Sequence, residues 1–147
     1  MEKSIRLVVV DNNEEVASSI KKYFEKNSGI SVVSCINNGM EALSFLINNA
    51  SDYDMVIMDL LLPQMDGLSI LENLKNRHLK KKVIVLSSYK EDYAIKRLIS
   101  LGVNYYILKP FSLDSLESRI LDLNKSYDIQ SNASGNVEIK VSEILHN

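Results

Sequence analysis

The chain is poor in the residues that would fix it by covalent or metal crosslinks. It has a single cysteine, Cys35, so no disulfide can close within it. Its two histidines, His78 and His146, lie far apart and have no cysteine at ligand spacing, which excludes a zinc cluster of the usual kind. No apolar run reaches the roughly 18 residues of a membrane span, and the N-terminus lacks the apolar stretch of a signal peptide. A cytoplasmic location with no membrane partner is the expectation. Charge of one sign is also missing. The net charge of −2 offers no general basic face, so DNA binding would have to come from elsewhere. Cys35 itself, flanked by Ser31-Val32-Val33-Ser34 and Ile36, is expected to be a packed strand thiol.

What is present is an ordinary globular balance: 147 residues, 46% apolar and 24% charged. Ile5 to Val10 is a valine-rich run that stops at Asp11, as a strand buried on both faces would. Val16, Ile20, Tyr23 and Phe24 recur at helical spacing. Further apolar runs over Ile30–Ile36, Met55–Met58, Val83–Leu86 and Tyr105–Leu108 alternate with helical patterns. These helices carry Ala42, Leu43, Leu46 and Ile47, then Leu68, Leu71 and Leu74, then Ala94, Ile95, Leu98 and Ile99, and last Leu113, Leu116, Ile120 and Leu123. Strict strand–helix alternation predicts an α/β fold, a five-stranded parallel sheet covered by helices on both faces.

Residues 1–124 make up this domain. Residues 125–136, with few apolar positions and with Ser, Asn and Gly, read as a linker. In 137–147, Val137, Ile139 and Val141 alternate with charged residues, and Ser142 is placed to cap a helix. That segment reads as the start of a second, C-terminal domain.

Sites in such sheets form beyond the C-terminal ends of the strands. The residues there are Asp11-Asn12, Asp59, Ser87 and Lys109. An Asp after a strand is commonly an Asx turn, and a Lys before Pro is commonly an exposed turn residue. Two carboxylates, a hydroxyl and an amine at successive ends of one sheet are a different matter, because all four then converge on one edge.

The runs Val8-Val9-Val10-Asp11-Asn12-Asn13, Met58-Asp59-Leu60-Leu61-Leu62-Pro63-Gln64-Met65-Asp66-Gly67, Val85-Leu86-Ser87-Ser88 and Tyr106-Ile107-Leu108-Lys109-Pro110-Phe111 resemble the receiver domains of response regulators, over about Ser4 to Asn124. The resemblance implies a doubly wound, flavodoxin-like receiver fold. It implies that the domain is no turnover enzyme but a signalling module, phosphorylated by a histidine kinase or phosphotransferase. Asp59 matches the phosphoacceptor. Asp11, the position of Asn12, Asp59 and the backbone carbonyl of Leu61 match the ligands of Mg²⁺, with Ca²⁺ or Mn²⁺ as alternatives. Lys109 and Ser87 match the groups that bind the phosphoryl oxygens, and Ser87 with Tyr106 the switch pair. Tyr89 is expected at the pocket rim. The family further implies dimerisation on phosphorylation, and DNA binding only through a C-terminal domain. Leu101-Gly102-Val103-Asn104-Tyr105-Tyr106 and the segment Ile139–His146 resemble the response regulators that govern sporulation in endospore-forming bacteria.

One position departs from the pattern. The family usually carries two consecutive acids after the first strand, and here the second is Asn12. The register is supported by the next helix: counted from Asn12, Val16, Ile20 and Phe24 fall on one buried stripe, whereas counting from Asp11 gives Glu15, Ser19 and Tyr23. A site short of one metal carboxylate is therefore expected. Three alternatives remain: a pseudo-receiver working without phosphate, which Asn12 favours; a phosphohydrolase, disfavoured because Leu61 stands where a general acid is needed; and a flavin binder, disfavoured by the acidic loop Asp11–Glu15. The runs of Met55, Met58 and Met65 and of Lys80-Lys81-Lys82 read as packing and as a solvated loop.

Overall fold

Mostly apolar runs form the strands, and the computed structural model, which describes residues 4–27, 29–88 and 92–129, bears out the strand–helix alternation. In chain order the elements are β1 (Ile5–Val10), α1 (Glu14–Phe24), β2 (Ile30–Ile36), α2 (Gly39–Asn48), a 3-10 turn (Ala50–Asp52), β3 (Met55–Asp59), α3 (Gly67–Asn76), β4 (Lys82–Ser87), α4 (Asp92–Ser100), β5 (Tyr105–Leu108) and α5 (Leu113–Ile129). The five strands form a parallel sheet of order β2-β1-β3-β4-β5, the flavodoxin-like receiver fold. Burial follows this order. β1, β3 and β4 are buried almost throughout, while β2 and β5 at the edges are partly open. Among the described residues no helix is long and apolar enough to cross a membrane.

The chain divides into two units, Met1–Lys81 and Lys82–Asn147. In the first, β1 pairs with β2 on one side and β3 on the other, both parallel. Its core holds Leu7, Val9, Ile20, Phe24, Leu46, Ile57 and Ile70 at 0–1% exposure. Ile20 and Phe24 confirm the helical register argued from Asn12, with Val16 half-buried and Glu15 and Ser19 exposed. At the start of β3 a fork of contacts ties β1 down. Arg6 donates from Nε and Nη2 to the two carboxylate oxygens of Asp54 (3.1 and 3.0 Å), and its backbone N–H reaches Asp54 Oδ2 at 2.9 Å. Lys81 donates to the carbonyls of Ala50 and Tyr53 at 2.5 and 2.8 Å and lies 4.4 Å from the centre of the Tyr53 ring. Lys81 is therefore anchored rather than part of a freely solvated lysine run. In the second unit β4 pairs with β5, over a core of Ile84, Val85, Leu98, Val103, Leu116 and Ile120.

Two further expectations are corrected. Residues 125–129, read as linker, continue α5 to Ile129; the remainder of that segment and all of 137–147 lie outside the described residues, as does Tyr89. Cys35 is exposed rather than packed. β2 is an edge strand, and a bulge at Val33 interrupts its pairing: Leu7 faces Val32 while Val8 faces Ser34. Val33 and Cys35 lie on the face this edge leaves open.

Candidate functional site

The first unit carries the two acids. β1 and β3 run side by side with Val10 opposite Met58, so the next residues, Asp11 and Asp59, emerge next to each other at the C-terminal edge. Asp11 is only 1% exposed, held by its own N–H on the Ile36 carbonyl (3.0 Å). Its Oδ1 accepts from the Asn13 N–H at 2.8 Å, and Asn13 in turn caps α1, its Oδ1 accepting from Glu15 and Val16 at 2.9 and 3.3 Å. Asp59 repeats the device: Oδ1 accepts from the Leu61 N–H at 3.1 Å, and the side chain is half-buried. Both acids are thus Asx turns, as the plain reading of each has it. The turn engages one oxygen of each carboxylate and aims the group at the strand edge. Asp11 also lines an open cavity of about 400 Å³ with Glu14, Lys21, Asn37 and Glu41, so it is buried yet reachable from solvent.

The loop after Asp59 leaves Leu61 54% exposed. It is clamped at its far end by Gly67, whose N–H donates to the Leu60 carbonyl at 2.9 Å. Asn12 is exposed beside Asp11.

The second unit carries the hydroxyl and the amine. Ser87, fully buried, ends β4 opposite Leu108 of β5, and the Lys109 N–H donates to the Ser87 carbonyl at 2.8 Å. Lys109 is half-buried and is joined to Pro110 by a cis peptide bond. Tyr106 is 3% exposed within β5. The structure therefore brings Asp11, Asn12, Asp59 and Leu61 together in one unit, and Ser87, Tyr106 and Lys109 together in the other.

Residues 7–121 match the family described as response regulator receiver domain. This chain belongs to that family. The receiver is 34% identical to the receiver domain of the Francisella response regulator 1452, with a TM-score of 0.74 over 84% of this chain and 99% of that one. It has the same fold as a LuxR-family DNA-binding response regulator from Staphylococcus aureus (22% identity, TM-score 0.75, 82% of this chain and 98% of that one). It also has the fold of the signal receiver domain of a response regulator described as NarL from Mycobacterium tuberculosis (20%, 0.75, 84% and 98%).

Receivers usually bind a divalent cation beside the acceptor, and the donor set of this receiver suits one. Two carboxylates, an amide oxygen at Asn12 and the Leu61 carbonyl are all hard oxygens, the ligands Mg²⁺ takes. The set is short of charge, however. Among the described residues no three His, Cys, Asp or Glu side chains converge on a metal position.

Sequence reasoning missed Gly39. A side chain there would collide with the loop after Asp59, a contact between segments far apart in the chain that no local pattern signals.

Proposed function

We propose that this receiver accepts a phosphoryl group on Asp59 from a phosphohistidine of a kinase or phosphotransferase. The observation that carries the reading is the register of β1 on β3, which sets Asp11 beside Asp59 at the sheet edge. An Asp59 carboxylate oxygen attacks phosphorus, the bond from phosphorus to the donor nitrogen breaks, and an acyl phosphate forms. Asp11, Asn12, Asp59 and the Leu61 carbonyl would hold the Mg²⁺, which supplies charge neutralisation for the incoming phosphoryl oxygens. Lys109 acts as a point charge toward those oxygens, and Ser87 as the hydroxyl that bonds one of them. Tyr106 follows Ser87 inward, so one new charge biases a two-state element.

The biological output belongs to the same proposal. The resemblance of Leu101–Tyr106 and Ile139–His146 to sporulation regulators supports a role for the receiver in the control of sporulation, as part of the master regulator of that programme. Phosphorylation there promotes dimerisation and releases a C-terminal DNA-binding domain, with residues 1–124 as the receiver and 137–147 as the beginning of the second domain. Asn12 favours a second reading, a receiver that binds partners without phosphate.

The test is intact-mass analysis after incubation with acetyl phosphate and Mg²⁺. Wild type is expected to gain one phosphoryl group and Asp59→Asn none. A wild type that gains nothing supports the phosphate-independent reading. An Asp59→Asn that still gains mass removes Asp59 from its role.

A further inference from the structure

Gly39 opens α2, an element that carries none of the proposed reacting groups. Asn38 caps that helix, its Oδ1 accepting from the Glu41 N–H at 2.9 Å. The Gly39 N–H turns elsewhere and donates to the Pro63 carbonyl at 3.0 Å. The same carbonyl accepts from the Met65 N–H at 2.9 Å, closing a three-residue turn whose central residue, Gln64, sits at φ 72. A non-glycine residue in this region is strained, and persists where surrounding contacts impose it. The contact that imposes it is visible. A Cβ on Gly39 would lie 1.7 Å from the Met65 carbonyl oxygen and 2.6 Å from its carbon, so the helix start and the turn meet backbone to backbone. At the other end of the loop, a Cβ on Gly67 would lie 2.9 Å from Leu60 Cα and 3.0 Å from the Asp59 carbonyl oxygen. The loop from Leu60 to Asp66 is thus pressed between two glycines, with Leu61 inside it hydrogen-bonded to Asp59.

We infer that Gly39 is a positioning residue for the phosphoacceptor site. By seating the Pro63–Met65 turn, it fixes the height of the loop that presents the Leu61 carbonyl beside Asp59. Any side chain at position 39 pushes the turn away, and the Leu61 oxygen with it. The inference rests on the roles proposed above for Asp59 and Leu61. It differs from a purely structural role for Gly39 in one measurable respect: metal binding suffers more than folding does.

The experiment compares wild type with Gly39→Ala, Gln64→Gly, the double variant, and Gly102→Ala. Gly102 has φ +84 and open space around it, so Gly102→Ala strains the backbone without approaching the loop. Each protein is titrated with Mg²⁺, following the rise in melting temperature and the amide hydrogen exchange of Leu61 and Met65, and separately the rate of phosphorylation by acetyl phosphate. Gly39→Ala is expected to raise the half-effective Mg²⁺ concentration roughly 10- to 100-fold, the scale at which misplacement by about 1 Å acts, and to speed exchange at both amides. Gly102→Ala is expected to melt lower with its Mg²⁺ midpoint unmoved. Glycine at position 64 lets the turn give way without holding Leu61, so the double variant is expected to melt above Gly39→Ala with its Mg²⁺ midpoint still weakened. Should Gly39→Ala fail to fold, Gln64→Gly decides alone, with a weakened Mg²⁺ midpoint at an undiminished melting temperature as the expected result. An unmoved midpoint in folded Gly39→Ala, an equal shift in Gly102→Ala, or, in the fallback, an unmoved midpoint in Gln64→Gly overturns the inference while leaving the function intact. A wild type that neither responds to Mg²⁺ nor takes phosphate overturns both.

Discussion

Asn12 shows how much one atom type decides at a strand end. Replacing the family's acid by an amide keeps an oxygen and removes a charge. At effective dielectrics between water and protein surface, one charge near a bound cation is worth about 1–4 kcal/mol. Asn12→Asp is therefore expected to lower the half-effective Mg²⁺ concentration for phosphorylation by about fivefold or more, measured with acetyl phosphate. The sign reverses without metal, because a new carboxylate beside Asp11 is then uncompensated. In the presence of a chelator Asn12→Asp is expected to melt below wild type, and in Mg²⁺ above it. At this scale most of the candidate site was legible, since Asp11 and Lys109 directly follow, and Asp59 and Ser87 end, a mostly apolar strand. Composition and spacing left open whether Asp11 and Asp59 were turns or site groups. The structure shows the turn in both, one oxygen of each carboxylate accepting from the backbone N–H two residues on, and the site role stays the proposal made above.

At the scale of elements, α3 and α4 end in the same way with different residues. After α4, the Val103 N–H reaches the Leu98 carbonyl at 3.1 Å and the Gly102 N–H the Ile99 carbonyl at 3.0 Å, with Gly102 in the left-handed region. After α3, Leu79 reaches Leu74 at 3.0 Å and His78 reaches Lys75 at 2.9 Å, and here His78 holds φ 57. Both are Schellman endings, which favour glycine at that position. His78→Gly is expected to raise stability by about 1 kcal/mol, the left-handed penalty of a side chain, read by denaturant midpoint. The fork of Arg6 on Asp54 gives a second prediction. The Arg6 hydrogen bond, with help from its charge and that of Lys81, holds the Asp54 carboxyl below its ordinary value against partial desolvation. As pH falls, the unfolded chain takes up the proton first. The pair's contribution is complete above the ordinary carboxylate range and is lost as pH drops through the lower folded value. The melting difference between wild type and Asp54→Asn is expected to narrow from about pH 6 to about pH 2. Strand positions were readable because buried parallel strands are continuous apolar runs. The bulge at Val33 was not, because Val32 and Val33 are both apolar and no alternation marks the extra residue.

For the whole molecule, folding and ligand binding are linked. A ligand that binds only the folded chain stabilises it by about 2.7 kcal/mol at a hundred times its dissociation constant. Mg²⁺ with a phosphoryl mimic is expected to raise the melting temperature of wild type, a chelator to reverse the rise, and Asp59→Asn to show little response to the mimic. That the five strands form one parallel sheet covered by helices followed from simple alternation and connection rules. The clamp of α2 on the loop after Asp59 did not, because Gly39 and Met65 meet only once the sheet has brought their segments side by side.

The open edge of β2 carries a further consequence. Each chain presents one surface thiol, and partial desolvation pushes Cys35 above its ordinary value against the opposing pull of Lys21, so it reacts slowly near neutral pH. Slow oxidation during storage would still couple chains in pairs and in no larger number, because a single sulfur per chain forms a single bond. Such a covalent pair would imitate in mass the dimer attributed to phosphorylation. Sizing in fresh reductant, or with Cys35→Ser, separates the two.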